Sequence, residues 1–252
     1  MSKPIKRFNI GSLLLLFITT VCSRALGADQ LTIDKPEKVL RAHGVAIKEH
    51  AVAGALRSTD PEVRKAASDV LVKRWPKLAL SVIERAMWKE PDGFTRVRMA
   101  TDLARLGDRA GREALVKECH NTTEWGSIRI GAAAVLIEEF RDNSCLGAIL
   151  DTLQSDSDAR DTGPKEWALK LAPDLIDHVD PLESHKLFEL VIKALGDPSP
   201  GVRTIASMML YQIGDPAAIP GLEAAIAKEK DEDGRRMMIR ELQNLQSKTQ
   251  PR

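Results

Sequence analysis

The sequence predicts an all-α fold, a solenoid of about six helix pairs, and three observations carry that expectation. The first is one helix–turn–helix unit written out between Leu195 and Lys228. It contains Gly196-Asp197-Pro198, Val202-Arg203-Thr204-Ile205-Ala206, Leu210 and Gly214-Asp215-Pro216. Its apolar residues fall three and four apart between the punctuation, which is helical spacing. The second is recurrence of the unit in fixed phase. The third is size: one such pair is too small to bury its own apolar stripe, so neighbours must cover it.

Each part of the unit has a physical task. Gly196 and Gly214 are expected to end helices in the left-handed conformation, which lacks a Cβ penalty for glycine. Asp197 and Asp215 are candidate caps for free backbone N–H groups. Pro198 and Pro216 stand where a new helix begins and no N–H is missed.

The other units align on the pair equivalent to Val202-Arg203. They are Val63-Arg64, Thr95-Arg96, Ile128-Arg129, Pro164-Lys165 and Gly234-Arg235, with basic residues 32 to 38 positions apart. Four positions after the first member stand Ala67, Met99, Ala132, Ala168, Ala206 and Met238. Eight after it stand Leu71, Leu103, Leu136, Ala172, Leu210 and Leu242. A small residue and a leucine in constant phase is what two closely packed helix layers require. The partner helices are expected near 45–58, 76–89, 109–120, 144–155, 183–195 and 216–229. Unit four is irregular, with a polar loop from Ser155 to Gly163 and an interruption from Pro173 to Pro181.

Asp-Pro-x-x-x-Val-Arg-x-x-Ala, a leucine four residues later and Gly-Asp-Pro together resemble the short HEAT repeat, of the subtype also found in phycocyanobilin lyases. The resemblance implies a right-handed α–α superhelix, with the Val-Arg helix second in each pair and on the inner, concave face. It also implies a structural ladder in which the recurring arginine bonds a turn aspartate of its own or the next repeat. The residues that match are Asp60, Arg64, Asp92, Arg96, Arg129, Asp197, Arg203 and Arg235. Thr123 and Lys165 depart from that pattern and thin the ladder in the middle. In the same orientation Ile130, Ala134, Ile137, Leu169, Met208 and Tyr211 form an apolar strip on the concave face, suited to a partner's helix or extended segment. The alternative is an inner helix rotated by one position, which buries Ile130, Ile137 and Met208.

Residues 1–28 read as a signal peptide. Lys3, Lys6 and Arg7 precede an apolar run from Ile10 to Val21, and Ala25-Leu26-Gly27 offers a cleavage site before Ala28 or Asp29. The run is too short to span a bilayer comfortably, so no integral membrane span is expected after cleavage; the alternative is an uncleaved membrane anchor. Residues 29–44 are expected to cap the array, 45–246 to form the solenoid and 247–252 to be a disordered tail. The destination is periplasmic or secreted. The whole sequence has a formal net charge of +1. Losing the leader's four basic residues leaves 33 basic against 36 acidic residues, a net of −3. That balance argues against nucleic acid as a partner.

Cys119 and Cys145 remain after cleavage. Placed at opposite ends of the helix layer, they are expected roughly 13 Å apart, too far for a bond. Val116 stands where a haem-attachment motif ending in Cys119-His120 needs a cysteine. Asp174, Asp177, His178 and Asp180 form the densest acidic cluster and read as solvated caps. Most of the tryptophans, Trp75, Trp88, Trp125 and Trp167, read as gap fillers between layers. No phosphate loop, zinc-protease motif or nucleophile elbow is present. The expectation is therefore no catalytic, cofactor or metal site, and a non-enzymatic scaffold for an unidentified protein partner. A bilin lyase-like protein or chromophore chaperone is the alternative that the resemblance implies.

Overall fold

The structure, a computed structural model, describes residues 34–155 and 161–249. The expected signal segment lies outside the described residues. The helices cluster into two compact units, one ending at Lys89 and the other starting at Glu90. No strand occurs among the described residues, and no helix among them is long and apolar enough to cross a membrane.

The first unit holds α1 (Asp34–Ala42), α2 (Glu49–Ala55), α3 (Pro61–Arg74) and α4 (Pro76–Met87). α1, α2 and α4 all pack on α3, burying Leu40, Val52, Leu71, Ile83 and Met87. The segment expected to cap the array thus forms a helix of its own, fastened by charge. Buried Glu37 accepts from Arg74 Nε at 2.6 Å and from Arg41 Nη2 at 3.2 Å. Burial alone would raise its pKa; the two guanidinium groups outweigh that and hold the carboxyl below its ordinary value. Gly44, at φ 75°, ends the helical run. His43 therefore stands in the turn after α1 and His50 on α2, and His43 points towards Asp60, Nε2 to Oδ2 3.3 Å.

The second unit holds α5 (Gly93–Arg105), α6 (Arg109–His120), α7 (Gly126–Phe140), α8 (Leu146–Gln154), α9 (Gly163–Ile176), α10 (Pro181–Lys193), α11 (Pro200–Ile213), α12 (Ile219–Lys228) and α13 (Glu232–Thr249). Short 3₁₀ turns, η1 (Asn143–Cys145), η2 (Ala194–Gly196) and η3 (Pro216–Ala218), lead into or out of the even-numbered helices. The odd-numbered helices stand side by side, α5 against α7, α7 against α9, α9 against α11 and α11 against α13. This is the stacking of helix pairs that the recurring small residue and leucine require.

Several expectations are corrected. Gly214 takes the left-handed conformation at φ 78°, but Gly196 does not and ends a 3₁₀ turn. Pro173 lies inside α9, which continues to Ile176; buried Ala172 and Leu175 on either side hold that turn against the core. α13 runs to Thr249, three residues into the stretch expected as tail. Leu245 is fully buried on it, which gives the last turns a packing reason to remain helical.

Cys119 and Cys145 form a disulfide with Cα atoms 6.0 Å apart. The expected separation assumed that α6 and α8 keep a common register. Instead the chain leaves α7 through Arg141 in the left-handed conformation, φ 54° and ψ 37°. η1 then packs against both α6 and α7, which brings Cys145 beside the last turn of α6.

α5 and α6 approach closely at Gly111. A Cβ there would lie 2.4 Å from the Ala104 nitrogen and 2.5 Å from the Ala100 oxygen. Both atoms are backbone, so the helices must separate to admit it. Gly111→Ala should therefore destabilise the protein by about 1–3 kcal/mol, read as a lower urea midpoint. A gain of stability, the ordinary result for Gly→Ala in a helix, would contradict this packing.

Candidate functional site

The recurring basic residue builds the same junction repeatedly. Arg64, Arg96 and Arg203 each donate from Nη1 to the carbonyl six residues earlier, at Ser58, Glu90 and Asp197, over 2.8, 2.7 and 2.8 Å. Arg64 and Arg203 also reach the carbonyl five residues earlier. The turn preceding each of these helices is thereby closed onto its first helical turn.

The remaining donors reach forward to the next turn. Arg203 makes a two-pronged pair with Glu229, Nε to Oε2 and Nη2 to Oε1 both at 2.6 Å. Arg96 pairs with Glu118 at 2.6 and 3.0 Å and also bonds Glu124. Lys165 donates to the Ser155 carbonyl at 2.7 Å and pairs with Asp197 at 2.8 Å. A planar fork against a carboxylate supplies two charge-assisted bonds in fixed geometry. Every buried side-chain nitrogen and oxygen among the described residues has a partner.

A ladder therefore exists, in a different register from the expected one. Glu90, Asp197 and Glu229 stand six residues before Arg96, Arg203 and Arg235, and all three are buried. Each side chain accepts from the N–H two residues on, at Asp92, Ser199 and Asp231. Asp60 and Asp92 stand only four residues before their arginines and are helix caps, accepting from Glu62 and Thr95 N–H groups. Asp60 and Asp92 thus belong to a different column from Asp197. The spacing of six was available in the sequence and identifies Glu90 and Glu229. Arg129 bonds the Cys119 carbonyl at 3.1 Å rather than an acid. Arg235 is exposed on α13.

Glu229 shows what the junction does electrostatically. The Arg203 fork, opposed by burial and aided by the Asp231 and Lys230 N–H groups, holds its carboxyl down to about 2 from an ordinary 4.5. The folded state therefore releases this proton more readily than the unfolded chain. Its contribution is complete above about pH 4.5 and disappears as pH falls towards 2. Melting temperature should drop across that interval. Glu229→Gln, which cannot titrate, should flatten that drop; an equally steep profile would show that the acid response arises elsewhere.

A cleft of about 420 Å³ opens beside this junction. Ile192, Leu195, Gly196, Gly221, Ala224 and Ala225 line it with apolar or small groups, and Asp197, Arg203 and Glu229 with paired charges. Lys228 and Lys230 border it and are exposed. Gly221 permits the close approach of α12 to α10: a Cβ there would meet Ile192 Cγ2 at 3.2 Å.

The expected concave strip is not a surface. Ile130, Ala134, Ile137 and Leu169 are all buried, at no more than 3% exposure. Met208 and Tyr211 are half-buried. The reason is the stacking: α7 touches α5, α6, α8, α9 and η1, leaving it no free face. The rotated alternative holds for Ile130 and Ile137. Among the tryptophans, Trp75 and Trp167 are half-buried, whereas Trp88 and Trp125 are exposed and fill no gap. In the acidic cluster, Asp180 caps α10 through the Leu182 and Glu183 N–H groups.

No curated protein matches the chain. Among solved structures it is similar to a designed armadillo repeat protein in complex with the peptide (KR)4, at 15% identity and TM-score 0.43, covering 94% of this chain and 95% of that one. A computationally designed armadillo repeat protein for modular peptide recognition is similar at 15% identity and TM-score 0.41, covering 93% and 95%. Human deoxyhypusine hydroxylase is similar at 13% identity and TM-score 0.32, covering 92% and 99%. The family model for HEAT repeats matches residues 175–243, which contain the cleft and the Arg203–Glu229 junction. Residues 175–243 thus match HEAT repeats, within a chain whose described residues form helices and no strand.

Proposed function

We propose that the chain is an exported, non-enzymatic scaffold that binds a protein partner, with the cleft among η2, α11 and α12 as part of the contact surface. The cleft is the observation that carries this reading. Apolar Ile192 and Leu195 stand there beside glycine and alanine, so an inserted side chain meets apolar surface and little obstruction. Asp197 and Glu229 are already neutralised by Lys165 and Arg203. The exposed Lys228 and Lys230 then bias the rim towards a partner segment that carries carboxylates. Export rests on the basic start and apolar run of residues 1–28. The buried Cys119–Cys145 bridge supports an oxidising destination.

Tagged full-length protein expressed in its host tests both parts. The mature N-terminus should be Ala28 or Asp29, and Met1 on soluble cytosolic protein would overturn export. Ala224→Arg fills the cleft, and Lys228→Glu with Lys230→Glu reverses its rim. Both should keep the melting temperature while weakening capture of the envelope partner at least tenfold. Undiminished capture by both variants would remove the cleft from the contact.

A further inference from the structure

The last turn of α6 and the turn η1 bring three soft ligands together. The Cys119 and Cys145 sulfurs and one His120 nitrogen all lie within 4.8 Å of one another. His120 Nδ1 is 3.2 Å from Cys119 Sγ. We infer that Cys119, Cys145 and His120 form a redox-gated metal site. In it, the disulfide is the closed form and the dithiol binds one soft d10 cation, Cu(I) or Zn(II).

Four features point the same way. Thiolate and imidazole together select soft and borderline cations over Mg(II) or Ca(II). The 6.0 Å between the two Cα atoms suits either form. With metal–sulfur bonds of about 2.3 Å in tetrahedral geometry, two bound thiolates stand roughly 3.8 Å apart, a separation side-chain rotation supplies without moving the helices. The cysteines are buried while His120 is exposed, so the imidazole faces the side from which an ion arrives. His120 is also anchored, with Nδ1 2.8 Å from the Val116 carbonyl. Nδ1, 3.2 Å from Cys119 Sγ, exchanges that contact for the cation on binding.

The chemistry balances with a dithiol reductant. An external dithiol gives two electrons and two protons to the bridge and becomes a disulfide, while Cys119 and Cys145 become thiols. The cation then displaces both thiol protons as it binds. Oxidation by disulfide exchange releases the ion and restores the bridge.

The test uses the full chain with Cys22→Ser, so that only these two thiols count. Reduced protein, freed of reductant under anaerobic conditions, is titrated with Cu(I) and separately with Zn(II) against a competing chelator. Circular dichroism is recorded on the same samples. One equivalent should bind to the reduced form and none to the oxidised form, with sulfur-to-metal absorption for Cu(I). His120→Asn should weaken binding about 10–100-fold, and Cys145→Ser should abolish the stoichiometric site. The arm that saturates first identifies the ion. Equal binding by oxidised and reduced protein, or unchanged affinity in His120→Asn, would overturn the site. So would loss of helicity on reduction with no metal bound, because the site requires the reduced chain to keep this fold.

Discussion

Arg203→Ala should lower the stability of the protein by about 3–5 kcal/mol, the usual cost of removing one partner from a buried charged pair. The Glu229 side chain is 1% exposed, so it cannot recover its lost bonds from water in the native geometry. The same substitution frees the Asp197 and Pro198 carbonyls from Nη1, opening the turn before α11. At roughly 2–4 °C per kcal/mol for a chain of this size, melting should fall by on the order of 6–20 °C. Adding Glu229→Ala should restore part of the loss, because the stranded charge leaves with it. Arg203→Lys should cost less than alanine, since Lys165 already serves the preceding junction with an ammonium group. An unchanged melting curve for Arg203→Ala would mean that the pair contributes nothing to folding.

Ile130→Ala should cost about 2–5 kcal/mol, the range for emptying a filled core position. Ile130 is fully buried on a helix with neighbours on every side. α5, α6, α8, α9 and η1 each touch α7, so the void cannot be filled by one element moving inward. Tyr211→Ala, at a half-buried position, should cost less. Urea unfolding of the two variants separates core from surface. A near-neutral Ile130→Ala would restore the exposed strip that the repeat alignment implied and this packing denies.

Much of the architecture was legible in the sequence. Fixed recurrence of basic residue, small residue and leucine determined the helix pairs, and Asp-Pro and Gly-Asp-Pro placed their ends to within a few residues. Those signals are local, written in capping, backbone freedom and helical period. The basic column was legible too, because only a buried, bonded arginine justifies its repetition in the phase of the core. Its acid partners were half legible. Asp197 lay in the sequence at the right spacing, but Glu90 and Glu229 escape a search for aspartate alone, and Glu118 reaches Arg96 from the end of a different helix.

What only the tertiary structure decided concerns faces and offsets between helices. Period assigns residues to one side of a helix, yet α7 is enclosed on all sides by its neighbours, so an apolar strip read as free surface is core. The Cys119–Cys145 bridge depends on η1 crossing the end of α6, which follows from one left-handed residue, Arg141. Arginine carries no sequence signal for that conformation as glycine does. The cleft likewise exists only where η2, α11 and α12 meet, and no single stretch of chain encodes it. Local physics fixed which segments are helices; the packing of one helix against four others fixed what remains accessible to a partner.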